Sequence, residues 1–423
     1  MIHYITLQGL GQPWVGNELG VLDSNSVPFT LHAMRTPEHE LFESEWAARI
    51  QSSARIIYPL PLMRFAAALV CAPVLFWRRW CAAAWNALFA SRESLRARVT
   101  ALAHFAVAAY WACQNRKERM SHIHCQWAHA SATIGMYASW LLDVPYSFTG
   151  HAVDLFRDRV ALEDKVARAA FIVCISTFHR DFFKELGAGD EQLKIVYCGI
   201  DVSHFVPRGN AVEHEDTLRI RSSGRLVDKK GFDVLVRACA ILRDRGLEFE
   251  CVIGGSGPLE TDLNRLIREH SLGARVRVTG EPIKQEDIPK FMHSGSVYCL
   301  PCVWAKDNDV DGLPQMLMEA MACGLPVVST QLVGIPDLVI HEQTGLLVEP
   351  NNAEQLADAI ARLDADRGLA DRLAASGREM VLRKFDLSTC LEPLISEFRR
   401  RLMDDTPVVI SSEAPSNLVG PQA

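Results

Sequence analysis

The stretch that decides the fold is DGLPQMLMEAMACGLPVVST, Asp311 to Thr330. Pro314 suits the first turn of a helix, where its missing N–H is no loss. Gly324 suits the helix end, and Pro326 stops any continuation before a strand at Val327–Ser329. Asp311 therefore falls in the loop before the helix and Glu319 falls inside it. Six residues from Leu313 to Glu319, at 1.5 Å each, separate the two acids by about 9 Å along the axis. Carboxylates that far apart do not share one proton-transfer centre. They can grip two hydroxyl-bearing parts of one extended ligand, and the helix N-terminus between them suits an anion.

Two further elements precede this stretch. In GRLVDKKGFDVLVRA (Gly224–Ala238), Arg225 closes a strand and Lys230 stands just before the next helix. A guanidinium fork and an ammonium point charge placed so can converge on a diphosphate. In GGSGP (Gly254–Pro258), Gly255 and Gly257 let backbone approach a flat base or a phosphate; alone that motif is weak. All three elements follow strands, and open α/β sheets bind ligands at the carboxyl ends of their strands.

The periodicity extends this pattern over the whole chain. Strands are expected at Ile2–Leu7, Phe29–Met34, His122–Trp127, Tyr146–Thr149, Phe171–Ser176 and Lys194–Tyr197. A second set is expected at Leu218–Ser222, Phe249–Ile253, Val276–Thr279, Val297–Leu300, Val327–Ser329 and Gly345–Val348, with helical patterns between. A polar break, PRGNAVEHED (Pro207–Asp216), separates the sets. The fold class is α/β: two doubly wound domains in series, 1–206 and 207–387. A C-terminal helix at 388–403 is expected to pack back on the first domain, followed by a disordered tail at 404–423.

The sequence has 423 residues, 44 basic and 51 acidic, for a net charge of −7. That balance disfavours a nucleic-acid partner. Twelve cysteines without paired framework spacing, behind an N-terminus (MIHYITLQGLG) that lacks the features of an export signal, read as reduced thiols of a cytoplasmic protein. Cys299 and Cys302 form a lone CxxC in an apolar run, and a zinc site needs about four ligands, so they read as packed thiols. His122, His124 and His129 have no partners at metal-ligand spacing, and no metal is expected.

Between the second and third of the expected strands lies an insert, 61–115. Its first part, Pro61–Thr100, is rich in alanine and tryptophan and holds Arg64, Arg78, Arg79, Arg92, Arg96 and Arg98 against one acid, Glu93. It reads either as a helical pair packed on the sheet with arginines in solvent, or as an amphipathic surface resting on anionic lipid with Trp77, Trp80 and Trp85 at the interface. Its most apolar run, Phe65–Trp77, is interrupted by Pro73 and is too short to cross about 30 Å of hydrocarbon, so no transmembrane helix is expected.

Taken together, GR-x4-K, GxGP, the acids Asp311 and Glu319 before and within EAMACGLPVV, VGIPDLV (Val333–Val339) and TGLLVEP resemble the retaining glycosyltransferases of family four, the group-one sugar transferases with a GT-B fold. In the first half HIHCQWAHA, PYSFTGHAVDLF, ISTFHRDFF and IVYCGIDVSHF are similar to the exopolysaccharide, colanic-acid-type branch. The likeness runs to about Leu402. It implies a nucleoside-diphosphate sugar, UDP- or GDP-linked, bound between two domains and transferred with retention, without cofactor or metal, to a polysaccharide or polyprenyl-linked acceptor. Carried over by position, Arg225 and Lys230 hold the diphosphate, Asp311 contacts the sugar, and Glu319 contacts the ribose. The N–H groups of Gly312 and Leu313 face the phosphate. His151 faces the donor sugar from the first domain. Asp154 is expected to orient the acceptor, with Gly11, Asn17 and Glu18 beside it.

Asp311 stands where the family usually has glutamate, which puts the donor sugar in doubt. GLGQPWVGNE (Gly9–Glu18) lacks the wider family's double glycine. Two alternatives remain: a non-catalytic glycan- or lipid-binding scaffold that kept the fold, and a nucleotide-sugar epimerase, against which the membrane-like insert argues.

Overall fold

The computed structural model describes residues 1–38, 42, 44–207 and 217–404. The expected linker at Pro207–Asp216 (beyond Pro207 itself) and the tail after Asp404 lie outside the described residues. Seven parallel strands build the first sheet: β1 (Ile2–Thr6), β2 (Phe29–Ala33), β3 (Arg55–Ile56), β4 (His122–Gln126), β5 (Tyr146–Gly150), β6 (Phe171–Cys174) and β7 (Leu193–Ile195), in the order β3-β2-β1-β4-β5-β6-β7. Six build the second: β8 (Leu218–Ser223), β9 (Phe249–Gly254), β10 (Val276–Val278), β11 (Val297–Leu300), β12 (Val327–Thr330) and β13 (Leu346–Val348), in the order β10-β9-β8-β11-β12-β13. Both reverse direction beside their first strand, between β1 and β4 and between β8 and β11, which is where a doubly wound sheet opens a crevice for ligand.

The strands read as near-continuous apolar runs because helices cover both faces. β1, β4 and β5 are buried at every residue. The histidines of β4 sit in this core rather than in a metal site: His122 Nε2 and His124 Nδ1 both meet Ser147 Oγ at 2.7 Å. Burial pushes the His124 imidazole down to about 3, so it stays neutral.

Two local expectations are corrected. β3, only two residues long, gives no periodic signal and was not anticipated. Pro314 caps its helix with extended backbone (φ −69°, ψ 119°), and the helix proper is Gln315–Ala322.

The insert is two long helices, Leu62–Phe89 and Leu95–Asn115. Its arginines divide into two kinds. Arg92 was expected on the surface, but its guanidinium is buried and pairs with Asp164 at 2.6 Å while donating to Asn86 and Tyr137. Arg98 folds onto the Leu88 carbonyl. Arg64, Arg78 and Arg96 are exposed and have no ion-pair partner among the described residues. Glu93, the insert's one acid, accepts the Ala161 and Leu162 N–H groups at 3.0 and 2.8 Å, tying the insert to the sheet.

The C-terminal helix Leu387–Asp404 crosses back to the first domain. Fully buried Phe398 packs edge-on to His124 (ring centroids 5.2 Å apart) and to Phe171 (6.1 Å), and Arg399 donates to the Asn25 carbonyl at 3.2 Å. Phe398→Ala is expected to cost about 3–5 kcal/mol of stability through the cavity it leaves; urea unfolding measures this, and an unchanged midpoint would show that the helix does not hold the first domain.

Candidate active site

The carboxyl ends of both sheets meet across a cleft. From the second domain come the loops after β8, β9 and β11. The β8 and β9 loops are zipped together: the Gly224 N–H donates to the Gly254 carbonyl and Leu226 N–H to Ser256, both at 2.9 Å. Their approach is so close that a Cβ on Gly255 (φ +144°) would stand 1.9 Å from the Gly224 carbonyl oxygen, and one on Gly257 (φ +155°) 2.6 Å from that of Leu226. These glycines thus first serve loop-to-loop packing, and the packing holds Arg225 out at the surface.

Lys230 follows with its side chain almost wholly buried. Its ammonium lies 2.6 Å from Asp311 Oδ2, and the Lys229 ammonium lies 3.2 Å from Asp311 Oδ1. Asp311 is itself buried, which alone would raise its pKa, but Lys230 and then Lys229 hold the carboxyl below its usual range, so it stays ionised. Glu319, buried one helix turn further in, has no such pair. Desolvation pushes it up to about 7, against the pull of Lys230 and a hydrogen bond from Gln285. The two acids thus differ in charge state near neutrality: Asp311 is fixed, Glu319 is poised.

From the first domain comes His151, at the end of β5. Its backbone is clamped on both sides: the N–H donates to Asp154 Oδ1 at 3.1 Å, and the carbonyl accepts from His179 Nε2. His179 is set by Ser176 Oγ at 2.6 Å from its Nδ1. The imidazole packs against Trp127 (4.4 Å between centroids) and Trp14 (5.8 Å), and Nε2 meets Gln126 Oε1 at 3.0 Å. The amide nitrogen of Gln126 donates to Glu18 Oε2 at 2.9 Å and to the Tyr4 hydroxyl at 2.7 Å, so its oxygen is left to accept from His151 Nε2–H. Burial pushes the imidazole pKa down to about 3. The ring is therefore neutral near pH 7, with its lone pair on Nδ1.

Two residues expected at the acceptor, Asp154 and Glu18, are buried and hydrogen-bonded within the first domain. Asp154 is wholly buried, and its carboxylate takes the N–H groups of His151 and of Ala128 (2.5 Å). It shapes the His151 loop. Lys165, also wholly buried, donates to the Ala128 carbonyl, so the backbone of this one residue is held on both sides. Glu18 is buried as well, bonded to Tyr4 and Gln126, with desolvation pushing it up to about 7. It still lines a narrow cavity with Trp14, Thr149 and His151. On the same helix, Pro13–Ser24, Trp14 Nε1 is a buried donor without a hydrogen-bond partner among the described residues. Asn17 is half-buried beside them, and Gly11 closes a turn onto the Gln8 carbonyl at 2.9 Å.

Sequence reading missed Tyr4, Gln126, Lys165 and His179. Each is a polar residue inside a run that burial makes anomalous, and that is the one signal a sequence offers for them.

The two halves touch at Gly312. A Cβ there would lie 2.8 Å from Ile175, 3.2 Å from His179 and 3.4 Å from the His151 carbonyl oxygen. Around this point Thr177 N–H donates to Asp337 at 2.6 Å, Arg157 pairs with Asp307 at 2.9 Å, and Phe156 meets Trp304 edge-on at 5.4 Å. The contact brings together Arg225, Lys230, Asp311, Gly312, Leu313 and Glu319 on one wall and His151 on the other.

Two Rossmann-like domains facing a shared cleft define the GT-B architecture. It is shared with sucrose-phosphate synthase from Thermosynechococcus elongatus (TM-score 0.71, 20% identity, 96% of this chain and 99% of that one). The HepE protein of Anabaena, solved with UDP and glucose, aligns as fully (TM-score 0.67, 16% identity, 95% and 99%). Residues 208–380 match the family model "Glycosyl transferases group 1". The amylovoran biosynthesis glycosyltransferase AmsK of Erwinia amylovora is 35% identical over 228 residues, 52% of this chain and 55% of the relative. The putative colanic acid biosynthesis glycosyltransferase WcaL of Escherichia coli is 36% identical over 203 residues, 47% and 49%. The matched regions thus span about half the length of these curated relatives.

Gln126→Leu is expected to lower stability by about 1–3 kcal/mol, because Glu18 loses a buried donor and His151 its acceptor. Nitrogen-15 NMR of the His151 ring should also lose its single-tautomer signature. An unchanged spectrum would show that Gln126 does not set the tautomer.

Proposed function

We propose that this protein is a retaining glycosyltransferase that moves a sugar from a nucleoside diphosphate to a polysaccharide or lipid-linked glycan in exopolysaccharide synthesis, at the inner face of a membrane. The observation that carries this reading is the meeting at Gly312: it sets a cation-and-carboxylate wall against a neutral, fully oriented imidazole. Similarity to the amylovoran and colanic-acid transferases supports the acceptor class.

In this reading Arg225, exposed and unpaired among the described residues, and Lys230 receive the diphosphate. As the bond from the sugar's anomeric carbon to the phosphate oxygen breaks, charge gathers on that oxygen. Cations already in place stabilise it without reorganisation, commonly the largest single contribution to catalysis. The two ammonium groups and Arg225 supply this charge from the protein, so the reading needs no metal. The acceptor hydroxyl forms the new bond to the same carbon, on the same face, and passes its proton to the departing phosphate oxygen. His151, neutral and offering Nδ1, accepts a hydrogen bond from the donor sugar. Asp311, held by Lys229 and Lys230, accepts from other sugar hydroxyls, and Glu319 from the ribose.

Calorimetric titration with UDP, GDP and ADP tests the donor site. One nucleotide is expected to bind at micromolar levels, with at least tenfold loss in Arg225→Ala; if none binds, the scaffold reading stands instead.

Glu319 adds a pH dependence. Its folded pKa of about 7 lies above the ordinary glutamate value, so the carboxylate that grips ribose hydroxyls forms as pH rises through 7. Nucleotide affinity should therefore increase from pH 6 to 8, and Glu319→Gln should flatten that increase. A parallel profile in the variant would remove Glu319 from the ribose site.

His151→Ala should lower turnover while nucleotide affinity stays within a factor of about two. Unchanged sugar transfer would demote it to packing.

A further inference from the structure

The helix Leu62–Phe89 is apolar on the side that faces away from the protein. Of the nineteen large hydrophobic side chains exposed among the described residues, twelve lie between Leu62 and Val99, including Met63, Val70, Val74, Trp77 and Trp85. Small residues, Ala68, Ala72, Ala83 and Ala87, make its buried face. A contiguous exposed apolar surface of this kind marks an interaction site.

Its shape decides how it meets a membrane. At 1.5 Å per residue the 28 residues would reach about 42 Å, enough to cross about 30 Å of hydrocarbon. Trp77, however, has φ 30° and ψ −102°, which breaks the helix into arms 62–76 and 78–89. Those arms are about 22 and 18 Å long, and neither crosses. Packed lengthwise on the helix Leu95–Asn115, they suit lying in the plane of the interface.

Beside the break opens a pocket of about 390 Å³, lined by Arg79, Trp140, Asp143 and Arg168. The Arg168 guanidinium lies 3.4 Å from the centre of the Trp140 ring, and Arg79 pairs with Asp143 at 2.5 Å. Two guanidinium forks against one exposed carboxylate leave a net positive site shaped for phosphate oxygens.

We propose that this face docks on an anionic bilayer, with both arms lying in the interface and the phosphate of a lipid headgroup held between Arg79 and Arg168. The proposal deepens the membrane-facing reading above and rests on it. A second copy of the chain is the poorer occupant, because the unpaired Arg64, Arg78 and Arg96 of one copy would face those of the other.

Among the described residues Cys71 and Cys81 are the exposed cysteines, one on each arm. They serve as reporters for a maleimide that cannot cross membranes. Vesicles of phosphatidylcholine with phosphatidylglycerol are expected to slow labelling at Cys71 at least tenfold, and phosphatidylcholine alone much less. Val70→Glu with Val74→Glu should abolish both vesicle sedimentation and protection. Arg79→Gln with Arg168→Gln should keep weak binding to neutral vesicles but lose the preference for anionic ones by roughly tenfold, since each basic residue near such a surface contributes to attraction.

Equal sedimentation of the Val70/Val74 variant and the native chain would overturn the docking surface. A dimer without vesicles that this variant dissociates would overturn it in favour of a self-interface. Inorganic phosphate saturating the pocket while vesicles leave Cys71 labelling unchanged would overturn the lipid assignment. Nucleotide titration of the same variants, expected to match the native chain, keeps failure here distinct from failure of the donor site.

Discussion

The absence of a side chain at Gly312 is the constraint on which the cleft depends. A Cβ there would press on Ile175, on the His179 ring and on the His151 carbonyl oxygen. Because it is missing, the loop that carries Asp311 lies directly against the loop that carries His151. Neighbouring contacts hold that approach: Asp337 takes the Thr177 N–H and hydroxyl, and Gly334 donates to the Gly312 carbonyl at 3.0 Å. The contact sets the Gly312 backbone against the Ile175 side chain, the His179 ring and the His151 carbonyl, all buried groups with little freedom to move. That is the precision a site built from two domains requires.

Around that point the two walls solve the problem of buried charge differently. The second domain pairs its charges: two lysines flank Asp311, and their fields keep it ionised despite burial. The first domain disfavours charge instead, by desolvation. His151, His179 and His124 are all driven neutral, and Glu18 and Asp154 are pushed up to about 7 and about 6. The imidazole wall therefore offers hydrogen-bond geometry, and the lysine wall offers electrostatic potential. A nucleotide-linked sugar has a use for both, one at its hydroxyls and one at its phosphates.

The insert shows the limits of composition as a guide. Its excess of arginine and tryptophan marks an unusual surface, yet composition treats all six arginines alike. The structure buries the Arg92 guanidinium in an ion pair with Asp164 and leaves Arg64, Arg78 and Arg96 outside. Pro73 hints at an interrupted helix, but the break falls four residues later at Trp77, where no local propensity places it.

What the sequence determines by itself is whatever repeats or punctuates. Apolar runs of strand length between helical patterns set two doubly wound sheets, and the Asp311–Thr330 segment, with its glycine and prolines, places the acids before and within one helix. Arg225, Lys230, Asp311 and Glu319 are legible because they stand close together in motifs whose spacing is local. The tertiary structure alone decides what depends on distant chain segments meeting. It makes Asp154 a backbone clamp, because the Ala128 N–H arrives from the turn after β4. It joins Tyr4, Glu18, Gln126 and His151 into one chain of hydrogen bonds from four segments that share no spacing. It also sets the protonation of each buried group, since desolvation follows from the whole fold and not from neighbours in sequence.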